Sequence, residues 1–188
     1  GWFGKLPSLG DFAQRRLPPE FVQVWDDWLG AELARVRMRH DSGWLQAYLG
    51  SPVWRFVLLP GTLTPAAPAW TGVLMPSVDK VGRYFPLTLV RRLPELPHSA
   101  AELEALLGWL QQLEDIAVDA LHDDWSIEQL DTALALLPEP VPEAEPTPVR
   151  PAVNHEWPVR SIVKRGNPAD AEPRTAAKPA STLEIHTR

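Results

Sequence analysis

Cysteine is absent from all 188 residues. That excludes disulfides and thiolate chemistry and is the usage expected in a reducing compartment. No apolar run approaches the roughly 18 residues that a membrane span takes, and the first residues carry no basic stretch followed by an apolar core. The expectation is therefore a cytoplasmic protein without membrane insertion. Basic residues are also in short supply, 18 Lys and Arg against 24 Asp and Glu for a net charge of -6. Nucleic-acid affinity comes largely from clustered Lys and Arg, so this balance argues against a phosphate-backbone binder. The five histidines, His40, His98, His122, His155 and His186, are dispersed without the spacing that gathers a metal. Two glycine-cation pairs, Gly4-Lys5 and Gly82-Arg83, lack the second glycine and the Lys-Ser/Thr step of a phosphate loop. Neither a cofactor nor a metal is expected.

What is present is unevenly distributed. Residues 1–137 hold 17 acidic and 11 basic side chains, and residues 138–188 hold seven of each together with 10 of the 21 prolines. A segment so rich in proline and so poor in large apolar residues does not offset an ordering entropy of roughly 1 to 2 kcal/mol per residue. The chain is thus read as one domain over 1–137 followed by a proline-rich linker and largely disordered tail over 138–188, with a short strand possible at 160–164.

Within the domain the periodicities change in a readable order. Residues 2–6 form a short strand ended by Pro7. From Pro19 to about Met38, Phe21, Trp25, Trp28, Leu29, Leu33 and Val36 recur at helical spacing, and proline suits a first helical turn. A short helix over 42–49 opens on Ser42 as a cap and stops at Gly50. Strands follow at 53–59, 70–75 and 86–92, the first apolar on both faces apart from Arg55. Residues 99–122 give the clearest helix, with Ser99 and Glu102 as a capping box and Leu103, Leu106, Leu107, Leu110, Leu113, Ala117, Ala120 and Leu121 as its apolar stripe. Another helix starts at Ser126, with Gln129 completing its capping box and Trp125 stapling onto Leu130. The fold class is α/β, a central mixed sheet sandwiched between helices in three layers. Nine acidic side chains lie between Glu102 and Asp131 with no Lys or Arg among them, so one outer face is negative, either as a solvated face or as a surface that steers a basic partner.

Two charged loops carry the candidate chemistry. Ser77, Asp79, Lys80, Arg83 and Tyr84 follow one apolar strand, and Asp11, Arg15 and Arg16 follow another that ends near Lys5. The two loops are placed to converge at one sheet edge. Three readings are open: Asp11 and Asp79 cap turns and pair with Arg15 or Arg83 to hold the loops together; the same charged rim recognises a partner; or Ser77 is a hydrolase nucleophile beside Asp79, with Lys80 the sole local base. Trp25, Trp28 and Trp54 fall inward. Trp109 falls between the leucine positions of its helix, half-exposed beside the acidic face, where it is a candidate interface anchor.

The strings GWFGKLPSLGDF at 1–12, RRLPPEF at 15–21, WDDWL at 25–29, SPVWRF at 51–56 and GVLMPSVDKVGRYFPL at 72–87 resemble, in order and in register, the TagF (ImpM) family of type VI secretion-associated proteins. The resemblance covers residues 1–93. It implies a cytoplasmic negative regulator that acts after translation by binding another protein, typically a forkhead-associated scaffold protein, and that turns over no substrate. After Leu137 the sequence departs from the family pattern, in which further strands complete the sheet. The partner-binding candidates are Lys5, Asp11, Arg15, Arg16, Asp79, Lys80, Arg83, Tyr84 and Trp109. The competing classes are a hydrolase using the Ser77/Asp79 loop and a structural subunit of the secretion apparatus.

Overall fold

Three nearly uninterrupted apolar segments build the middle of the sheet: β3 (Trp54–Leu58), β4 (Ala69–Met75) and β5 (Leu87–Leu93). The computed structural model describes residues 1–139 and the backbone of Ile185–His186. In it β4 pairs with β3 on one side and β5 on the other, placing Gly72 opposite both Phe56 and Val90. The first strand, β1 (Trp2–Gly4), lies along β5, and β2 (Ala13–Arg15) folds back onto β1. A two-residue strand, β6 (Ile185–His186), sits against Arg55 and Phe56, giving the order β2-β1-β5-β4-β3-β6.

Every described ladder is antiparallel, which corrects the expected mixed sheet while keeping the α/β class and its three layers. The connections 59–68 and 76–86 contain no helix, and chain reversal without a crossover leaves neighbouring strands antiparallel. Centrality also shifts: β4 and β5 are buried along most of their length, whereas β3 is half-buried near the edge. The expected strand at 160–164, and all but that one pair of the tail beyond residue 139, lie outside the described residues.

Each sheet face takes its own helices because alternate strand residues point to opposite sides. On one face α1 (Pro19–His40) lays Phe21, Trp25 and Leu29 against Phe3, Phe56, Trp70 and Val90. The Trp25 indole N–H donates to Thr88 Oγ1 at 2.9 Å, so the polar edge of the ring is satisfied inside the core. A 3₁₀ turn over Asp41–Gly43 leads into α2 (Trp44–Leu49), and Ser42 lies inside that turn without capping a helix, contrary to the sequence expectation. On the other face α3 (Ala100–His122) and α4 (Ile127–Leu136) cover Trp2, Val73, Leu87 and Leu89. Ser126 and Gln129 form the full capping box at the start of α4. At α3 only half of the box forms: Ser99 accepts from the Glu102 amide, while Glu102 reaches past it to the His98 amide. The apolar stripe of α3 is rotated from the expected one, burying Trp109 and leaving Leu103 and Leu107 exposed.

Candidate functional site

Gly4 determines how the chain leaves β1. Its φ of +133° is one that L side chains rarely adopt, and a Cβ there would strike the Pro86 carbonyl. Close approach of β1 to the start of β5 sends Lys5 inward beneath the loop that follows β4, where Lys5 and Asp79 are each only 3% exposed. The Lys5 ammonium donates to Asp79 Oδ2 at 2.6 Å, and Arg83 Nε donates to the same oxygen at 2.7 Å. The other carboxylate oxygen accepts the amides of Val81 at 3.1 Å and Arg83 at 2.9 Å. Burial alone would raise the Asp79 pKa, but these four donors outweigh it and hold the carboxyl well below its usual range. Asp79 is therefore the hub of a compensated ion cluster and the organiser of its own turn.

Further bonds lock the two loops together. The Lys80 amide donates to the Leu9 carbonyl at 2.8 Å, and the Arg83 guanidinium donates to the Gly10 carbonyl and lies 3.7 Å from Asp11. Ser8 Oγ donates to the Trp125 carbonyl at 2.6 Å, fastening the first loop to the corner between α3 and α4. From beneath, the Tyr48 hydroxyl of α2 accepts from the Ser77 amide at 2.8 Å and donates to the Ser77 carbonyl at 2.9 Å. Burial pushes the Tyr48 phenol up, against the opposing effect of the Ser77 amide that donates to its oxygen, so its proton stays in place. Ser77 Oγ, itself buried, donates to the Lys5 carbonyl at 2.7 Å.

That last contact bears on chemistry. A serine nucleophile needs a base within hydrogen-bond reach and an open approach to its oxygen. Ser77 has its proton on a backbone carbonyl and is closed off from solvent, and the Lys5 ammonium is occupied by Asp79. Among the described residues no three His, Asp or Glu side chains gather in a way that could hold a metal.

The convergence anticipated for the two loops brings together Lys5, Asp11, Asp79, Lys80, Arg83 and Tyr84, in two strata. Lys5 and Asp79 form the buried floor, while Asp11, Lys80 and Arg83 are exposed and Tyr84 is half-buried against Trp44 and Tyr48. Arg15 and Arg16 are not part of the cluster. Arg15 is exposed on β2 opposite Trp2, and Arg16 donates at 2.7 Å to Asp131 of α4, which also accepts the Trp2 indole N–H at 2.9 Å. Trp109 is 4% exposed and donates to the Pro138 carbonyl at 2.9 Å, so the expected half-exposed anchor is instead core, covered once α4 packs beside it. Sequence reasoning missed Phe12, Val81, Arg37 and Trp44. Phe12 packs on Phe3 and Phe85 with the Lys5 ammonium 4.6 Å from its ring centre, and the Arg37 guanidinium lies 4.5 Å from the Trp44 ring centre. Arg37 lies in the last turn of α1 and Trp44 opens α2 beyond the 3₁₀ turn, so no helical periodicity in the sequence marks the second pair.

A small antiparallel sheet between helical layers, with a buried ion cluster tying two loops into an exposed rim, defines an α/β domain. The model of the TagF N-terminal domain, described as type VI secretion system-associated, matches residues 1–137, and the chain belongs to the TagF family. It is also similar to PA0076 from Pseudomonas aeruginosa PAO1, whose crystal structure superposes with a TM-score of 0.65 at 41% identity over 74% of this chain. The match spans 62% of that protein's length. No curated protein matches the chain. No helix among the described residues is long and apolar enough to cross a membrane.

Proposed function

We propose that this protein is a cytoplasmic negative regulator of a bacterial type VI secretion system, acting after translation by binding another protein without turning over a substrate. Membership of a type VI secretion-associated family supports the setting. The observation that carries the reading is the rim above the Lys5-Asp79-Arg83 cluster: exposed groups on two loops that are fixed by buried bonds before any partner arrives. Binding to such a preorganised surface avoids the ordering cost that a loose loop would impose. The family resemblance points to a forkhead-associated scaffold protein as the partner.

Calorimetric titration of the full chain with the forkhead-associated scaffold protein of the same secretion system tests the reading. Binding in the micromolar range or tighter is expected, weakened at least about 30-fold in a Lys80→Ala/Val81→Ser double variant, as interface hot spots of about 2 kcal/mol give. Binding by the variant equal to that of the parent would remove the rim from the interface. No heat and no complex with the parent protein would remove this partner.

A further inference from the structure

The rim has a chemistry of its own, and it is unlike the rest of the domain. Residues 1–137 carry an excess of acidic side chains, yet the groups around the fixed loops are cationic and apolar. Arg37 is exposed and its guanidinium lies over the Trp44 ring. Trp44 meets the edge of Tyr84, and Tyr84 pairs across the turn with Val78, so the aromatic row runs into the turn that presents Lys80 and Val81. Neither Arg37 nor Lys80 has a carboxylate within ion-pair distance among the described residues. The acidic groups nearby do not cancel them: Asp79 is consumed by Lys5 and Arg83, Asp11 faces Arg83, and exposed Asp41 ends α1.

Two large apolar side chains stand open on the same rim, Phe12 at 47% and Val81 at 66% exposure. Phe12 is held from behind by rings and by the Lys5 ammonium 4.6 Å from its centre. Val81 is held by its amide on Asp79 and by the turn that this bond closes. Pre-positioned apolar side chains, with two cations nearby on the rim that have no carboxylate partner among the described residues, suit an acidic and partly apolar ligand. We propose that this rim docks an acidic protein segment, carboxylates facing Arg37 and Lys80 and an aliphatic or aromatic side chain packing on Phe12 and Val81. This deepens the proposed function, resting on its rim while naming the partner's chemistry. Exposed charge pairs act largely through steering and are screened within about 8 Å at physiological salt, so the interaction is salt-sensitive in a way that a purely apolar contact is not.

The test measures the full chain against two probes at 50 and 300 mM salt. One is the forkhead-associated scaffold protein; the other is a capped ten-residue peptide of alternating Glu and Leu with a central Phe, compared with its Gln-for-Glu counterpart. The expected result is a loss of affinity of at least about 10-fold between the two salt concentrations, a similar loss in Lys80→Glu and Arg37→Glu, and at least 10-fold weaker binding of the Gln peptide. Thermal unfolding of each variant shows that the change is not one of folding. If the scaffold does not bind but the Glu peptide does, with the same dependence on Lys80, the acidic-segment inference stands and the named partner falls. Scaffold binding that is indifferent to salt and to both charge reversals would overturn the inference while leaving the regulator reading intact. Failure of both probes would overturn the inference as well.

Discussion

Two charged regions of this domain handle charge in opposite ways. In the Lys5-Asp79 cluster the charges are few and buried, and the Asp79 carboxylate is matched donor by donor. In α3 and α4 they are many and of one sign, and most of them sit in water. Desolvated ions cost several kcal/mol each unless paired, so the first arrangement persists only if its geometry is right. Solvated ions cost little, so the second tolerates almost any change. A region with a single permitted geometry can present a defined surface, which is why the buried cluster and not the larger charged face is the better place to seek function.

The sharpest way to break that contrast is at Asp79. Asp79→Ala leaves the Lys5 ammonium buried without a counter-charge and frees three further donors. Differential scanning calorimetry is expected to show a fall in Tm of about 10 °C or more, or no cooperative transition at all. A loss of only a few degrees would reduce Asp79 to an ordinary turn cap.

Asp131 probes the boundary between the two regions, since it belongs to the acidic layer but accepts from Trp2 and Arg16. Asp131→Ala is expected to cost about 1 to 2 kcal/mol in urea unfolding, mainly through the orphaned indole N–H. Ser126→Ala, which removes the cap of α4, should cost about 1 kcal/mol. Glu104→Gln and Asp119→Asn on the exposed face should each stay within about 0.5 kcal/mol of the parent. If either exceeds the Asp131 effect, the acidic layer is not merely a solvated face.

The dependence on pH sharpens the same comparison. The Asp79 pKa is depressed in the folded state, so its contribution is complete above the unfolded carboxylate range near pH 4 and is lost as pH falls through the folded value. Tm of the parent should therefore decline below about pH 4 more steeply than that of Asp79→Asn. Parallel curves would mean that Asp79 is no better stabilised folded than unfolded.

How much of this the sequence revealed depended on whether the controlling contact was local. The capping box at Ser126 and the aromatic face of α1 lie within one helix and were legible, as was the meeting of the two loops. The burial of Lys5 was not, because it depends on Gly4 letting β1 approach the Pro86 carbonyl from far along the chain. Strand β2 was missed because its three residues, Ala13 half-buried and Gln14 and Arg15 exposed, carry no alternation and pair only once Trp2 and Phe3 are fixed. Trp109 was misplaced because the width of the buried stripe on α3 is set by α4 and by the carbonyl of Pro138, which a helical wheel of α3 alone omits. The antiparallel arrangement was within reach, since neither connection between the three middle strands reads as a helical crossover.

The most direct measurement of the central claim is effector secretion in cells expressing the full chain as Ser77→Ala or as Lys80→Glu, at matched levels of folded protein. If the protein acts by presenting a fixed surface, Ser77→Ala still represses secretion, because its hydroxyl only ties the loop to the Lys5 carbonyl, and Lys80→Glu does not. The opposite pattern, repression lost with the serine and retained with the reversed charge, would contradict the account.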